Sequence, residues 1–219
     1  MQIAENTVSA ENQMVNSSEL RFLGNENAPL RVLVLGNSIT RHGPKADIGW
    51  EGDWGMAASA PEKDYVHRLY AKLKEAGQDV YMRIRQSAYW ERHFREDDCL
   101  PRFAADRDFG ADLIIFRLGD NIPEETAPYF TDALRQFMTY LGAKPGKVIF
   151  STCWWERPDL DNPIRQIAKE LDCPCAETLC TDKSMKAYGK FAHGGVSAHP
   201  GDTGMEMIAD RIFACIQQD

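Results

Sequence analysis

The sequence predicts an α/β fold in which a parallel sheet is covered on both faces by helices. Two observations carry this. Short apolar, β-branched runs alternate along the chain with longer stretches whose apolar residues recur every three or four positions. The first and third of these runs stop abruptly at Gly36 and Gly119, as strands feeding βα turns do. The resulting order, βαβαβαβα, implies parallel pairing through right-handed crossovers. In such sheets ligands sit beyond the carboxyl ends of the strands.

The elements follow in order. Residues 1–28 are rich in Asn, Glu and Ser without clear periodicity, and read as an extension, loose or laid over the domain of residues 29–219. Arg31–Leu35 is a buried strand. Residues 41–63 form a long Gly- and Pro-containing connection, and a loop of that length in a compact domain is usually functional. Asp64 caps a helix striped by Val66, Leu69, Tyr70 and Leu73 and closed by Gly77. Asp79–Arg85 alternates as a second strand, and a helix is expected over 95–108, with Pro101 near its start. Leu113–Leu118 is the third strand, Thr126–Leu141 a helix, and Lys147–Cys153 the fourth strand. A helix over Asn162–Leu171 places Pro163 in its first turn. Pro174–Leu179 is a weak fifth strand, and the last helix starts at a cap on Asp202 or Thr203.

Composition bounds the partners. The net charge is −8 and no basic run exists, which argues against nucleic acid and anionic membrane surfaces. No segment approaches the roughly 18 apolar residues of a membrane span. Met1–Asn16 lacks the basic start and apolar stretch of a secretory signal, so the compartment expected is cytoplasmic, or secreted or periplasmic if a signal has been removed. Of six cysteines, Cys153 and Cys215 read as core thiols. The Cys173-Pro174-Cys175 spacing is not the usual zinc one, and no metal or cofactor is expected.

Three short motifs carry chemistry. The first strand runs into Gly36-Asn37-Ser38-Ile39-Thr40, a turn that would present a hydroxyl and backbone N–H groups at the sheet edge. This motif is too short for a phosphate-binding P-loop and lacks its lysine. The third strand ends in Gly119-Asp120-Asn121, whose amide would lie beside the first strand. Ala198-His199-Pro200-Gly201 precedes the last helix and offers a loop-borne base. Each motif alone has a bland reading as a turn or a helix cap.

In this order, the three motifs resemble those of the SGNH/GDSL hydrolase family, over most of the chain from about residue 31. The resemblance implies a three-layer α/β/α sandwich, flavodoxin-like, with a five-stranded parallel sheet. It also implies an esterase or deacetylase, working without a metal on a small-molecule or carbohydrate ester. Ser38 would be the nucleophile and His199 the general base. The oxyanion hole would draw on the Ser38 N–H, the Asn121 side chain and an N–H near Ala88.

The chain departs from the family in three places. Asn37 stands where Asp is usual, which is expected to alter turn chemistry more than the nucleophile. The segment after the second strand, Arg85–Glu91, has no glycine to supply an oxyanion N–H. Val196 occupies the position of the triad Asp, three residues before His199. The imidazole is then oriented either by a backbone carbonyl near Val196 or by another acid, such as Glu91 or Glu156. The alternative function is a carbohydrate- or acyl-group-binding protein that kept the fold without turnover. Trp50 and Trp54 fall in the long loop, and Trp90, Trp154 and Trp155 follow strands. Packing is the bland reading of each. Together they suggest an aromatic-walled pocket in which Trp54, Trp90, Trp154 and Trp155 contact substrate.

Overall fold

A computed structural model describes residues 20–217 of the chain. The strands are β1 (Leu20–Gly24), β2 (Leu30–Gly36), β3 (Val80–Gln86), β4 (Leu113–Arg117), β5 (Val148–Ser151) and β6 (Cys175–Ala176). They form one sheet in the order β1-β3-β2-β4-β5-β6. The five strands from β2 to β6 pair in parallel, while β1 runs antiparallel along the β3 edge. That sixth strand lies in the segment read as an extension. Its five residues are too few to display an alternation, but Phe22 stacks on Tyr81 with ring centroids 5.2 Å apart.

Strand alternation divides the core into two layers. Leu33, Leu35, Phe116 and Phe150 face α4 (Phe130–Leu141) and α5 (Pro158–Glu170). Val32, Val34, Ile115 and Ile149 face α1 (Tyr65–Glu75) and α7 (Asp202–Ile216). The result is the expected three-layer sandwich, because the central strands β2, β4 and β5 are apolar on both sides and each face needs helices to cover it. Cys153 and Cys215 are buried in it as expected. No helix among the described residues is long and apolar enough to cross a membrane.

Several boundaries differ from expectation. The helix expected over 95–108 is instead α2 (Ala88–His93), a single 3-10 turn at Leu100–Phe103, and α3 (Ala104–Asp108). Pro101 in that turn lacks the N–H a continuous helix needs. α5 starts at Pro158, four residues before the expected Asn162, so Pro163 lies inside it; Pro158 takes the first-turn position instead. Asp64 caps α1 as expected, accepting from His67 N at 2.8 Å. Asp202 does not cap α7. Its carboxylate accepts from the Ser59 N–H at 2.8 Å and the Ser59 hydroxyl at 2.6 Å, and Gly201 holds the cap position. A short helix, α6 (Gly194–Ser197), precedes His199.

Candidate active site

Parallel pairing of β2 with β4, with Gly36 beside Arg117, puts the turns after both strands side by side. At Gly36 a Cβ would stand 1.8 Å from Thr40 Oγ1, so only glycine lets the turn fold back this tightly. Ser38 follows, half-buried, and its carbonyl accepts from Met56 N at 2.8 Å. Among the described residues its own N–H meets no acceptor. At Gly119, φ is +134° and a Cβ would press to 2.5 Å from Cys153 Sγ.

His199 closes on Ser38 from the far end of the chain, with Ser38 Oγ 2.7 Å from Nε2. Nδ1 lies 2.6 Å from the Gly195 carbonyl oxygen. A carbonyl only accepts, so Nδ1 carries the proton and Nε2 is the acceptor for the serine hydroxyl. Burial lowers the His199 pKa to about 4, with the Gly195 carbonyl pulling the other way. Trp155 meets the imidazole edge-on at 5.1 Å between centroids.

The carbonyl alternative for the ring's orienter is thus the one present. Neither Glu91 nor Glu156 orients His199. Glu156 is exposed beside a surface groove with Glu124 and Asp159. Glu91 is fully buried in α2 and spends its oxygens elsewhere. Oε1 accepts from Gly119 N at 2.6 Å and Asn37 Nδ2 at 3.1 Å, and Oε2 from Asn121 Nδ2 at 2.6 Å. Burial and the neighbouring Asp120 charge push its pKa up.

Asn37 sits at the centre of this network. Its amide donates to Glu91 and also to Asp120 Oδ2 at 2.9 Å, while its oxygen accepts from Arg117 Nη1 at 3.1 Å. Asp120 in turn accepts from Arg117 Nη1 at 2.8 Å and Trp154 N at 2.7 Å. An Asp at position 37 would set a third carboxylate against two others. The amide is therefore dictated by its neighbours, a larger consequence than the turn chemistry expected of it. The sequence signal that was available is the pair of acids, Glu91 and Asp120, that the fold brings together from α2 and the turn after β4.

Of the expected oxyanion donors, the N–H near Ala88 is not available: Ala88 N donates to Gln86 Oε1 at 3.0 Å within the buried start of α2. Asn121 is held by its neighbours. Its Nδ2 uses one hydrogen on Glu91, and its Oδ1 accepts from Arg92 Nη2 at 2.9 Å.

The tryptophans divide. Trp90 is buried and stacks on Phe137 at 4.9 Å, and Trp154 is buried against α7, so neither is a substrate wall. Both rings fill space between sheet and helices, where burial of a large ring is worth more than its exposure. Trp54 is half-buried and donates through Nε1 to Ala58 O at 2.9 Å. Trp50, Met56 and Ile48 of the long loop form a small separate core with Ala187 and Val196 of the His199 loop. The long connection thus bonds Ser38 and packs the loop that carries His199. Trp155 is the tryptophan whose ring meets His199 among the described residues.

No protein-family profile and no curated protein matches the chain. Solved structures do. The lipase/acylhydrolase from Enterococcus faecalis aligns with a TM-score of 0.56 at 15% identity, over 86% of this chain and 96% of its own. The crystal structure of TesA aligns with a TM-score of 0.54 at 14% identity, over 86% of this chain and 98% of its own. A protein described as a GDSL-like lipase, from Parabacteroides merdae, aligns with a TM-score of 0.53 at 16% identity, over 89% and 99%. The chain has the SGNH/GDSL hydrolase fold.

Proposed function

We propose that the protein is a serine hydrolase that cleaves an acyl ester through an acyl-enzyme on Ser38, with His199 as general base. The observation that carries the reading is the 2.7 Å contact between Ser38 Oγ and a His199 Nε2 left as acceptor by the Gly195 carbonyl. Nε2 takes the hydroxyl proton as Oγ attacks the ester carbon. Negative charge develops on the carbonyl oxygen, towards the Ser38 N–H and the second hydrogen of Asn121 Nδ2. The protonated imidazole then gives its proton to the leaving alcohol, and water repeats the sequence to release the acid. The base works as a Ser–His dyad, oriented by a carbonyl and by burial in place of a carboxylate.

Of the four tryptophans expected to contact substrate, Trp90 and Trp154 are buried and Trp155 meets His199, which weakens the aromatic-wall argument for a carbohydrate ester, so the proposal is an acyl-ester hydrolase without a preferred leaving group. The intact Ser38–His199 contact also favours turnover over binding alone. The test is intact mass after exposure to a fluorophosphonate. One adduct on the wild type, absent from Ser38→Ala and slowed in His199→Ala, is expected. A folded wild type that takes no adduct would rule the reading out.

A further inference from the structure

We infer that Glu91, with Arg92, is a positioning residue that locks the Asn121 amide so that one N–H faces the oxyanion; this rests on the Ser38 hydrolase reading. The orientation of an asparagine amide is normally free to reverse, because its two ends are alike in shape. At Asn121 it is not. Nδ2 lies 2.6 Å from the Glu91 carboxylate and Oδ1 2.9 Å from the Arg92 guanidinium. Reversal would put the amide oxygen on a carboxylate and the amide nitrogen on a guanidinium. Two charge-assisted hydrogen bonds from adjacent residues of one helix therefore fix the rotamer and the face.

Glu91 is itself held rigidly. Gly119 N and Asn37 Nδ2 both donate to its other oxygen, so one buried carboxylate ties the turn before Ser38 to the turn that carries Asn121. Every partner of the carboxylate is a donor, which suits its ionised form, with Arg92 on its own helix and Arg117 and Asp120 on β4 and its turn as the neighbouring charges. The segment after β3 thus acts differently from an oxyanion loop that offers a backbone N–H. The Ala88 N–H is consumed by Gln86, and the same segment supplies the acid that aims a side-chain N–H supplied from the turn after β4. Oxyanion donors act only when preorganised, so a group that fixes the donor governs rate without touching substrate.

The test is a double-mutant cycle on the rate at which Ser38 is labelled by a fluorophosphonate, whose phosphoryl oxygen occupies the oxyanion position. Asn121→Ala is expected to slow labelling by about 100-fold and Glu91→Gln by about tenfold or more. The double variant should label no more slowly than Asn121→Ala alone, because Glu91 acts through that amide. The saturating rate should fall while half-saturation by the probe stays put. Arg92→Met, on a half-buried side chain, probes the other end of the clamp and decides the matter if Glu91→Gln fails to fold: its slowing should likewise vanish in the Asn121→Ala background. Equal slowing in both backgrounds, or no slowing, would overturn the inference while leaving the hydrolase reading intact. A wild type that is never labelled would overturn both.

Discussion

The two sides of the site are built from different materials. On the Ser38–Asn121 side, three turns are joined by Glu91, Asp120, Arg117, Arg92 and two amides, almost all of it shielded from water. On the His199 side, a single backbone carbonyl holds the ring, and packing does the rest through Trp155 and the small core around Trp50 and Val196. In the proposed mechanism, charge fixes the donors that would face developing negative charge, where fractions of an ångström matter. Apolar packing fixes the base, and by excluding water it also keeps that base neutral. Among the described residues no carboxylate bonds His199, and Glu91 is not a relocated substitute for one: its bonds are to Asn37, Gly119 and Asn121.

The sharpest break in this comparison is Ser38→Ala. It should reduce ester turnover by about 10³-fold or more, the scale on which losing a nucleophile falls. The melting temperature should stay close to that of the wild type because Ser38 is half-buried at the end of a turn. Turnover assays and calorimetry on one preparation check both.

Asn37→Asp attacks the charged side. It removes two donors and adds a carboxylate beside Glu91 and Asp120, so a loss of about 3–5 kcal/mol is expected in urea unfolding near neutral pH. The loss should shrink in acid as the cluster takes up a proton. A change below about 1 kcal/mol would mean that the network tolerates a third acid.

The His199 side predicts a pH effect of its own. The folded pKa, about 4, lies below the unfolded value of 6.5. The unfolded chain therefore binds the extra proton first, and stability from this group is complete above about 6.5 and declines as pH falls towards 4, by about 3 kcal/mol in all. Glu91, whose pKa is raised, acts in the opposite sense: its contribution is lost as pH rises through its folded value. Comparing unfolding of wild type and His199→Gln between pH 7 and pH 4 isolates the first; parallel curves would contradict it.

The smallest effect is expected at Trp155. Trp155→Ala removes an edge-on contact but neither hydrogen bond of the imidazole, so labelling of Ser38 should slow only a few-fold. A loss approaching that of His199→Ala would shift the positioning of the base from the Gly195 carbonyl to the indole.

Much of this was legible in the sequence because it depends on local signals. The β-branched runs, the Asp64 cap and the glycines at Gly36 and Gly119 fixed the strand–turn edge that carries Ser38 and Asn121. What escaped depends on neighbours distant in sequence. The need for an amide at Asn37 arises from acids 54 and 83 positions away. The fate of Glu91 turned on which way α2 faced, and that helix began seven residues earlier than the expected span. The tryptophans clustered after strands, but position along a chain does not separate a ring on a pocket wall from one beneath it: Trp154 is buried and Trp155, its neighbour, meets His199.

The most direct test of the central claim, a serine activated by a histidine with no acid partner among the described residues, is the pH dependence of Ser38 labelling by a fluorophosphonate. A dry imidazole oriented by the Gly195 carbonyl stays in its basic form well into acid, so the rate should hold level from neutral pH to about 5 and fall only near 4. A fall centred near pH 7 would show an imidazolium stabilised by a carboxylate, and would contradict the dyad.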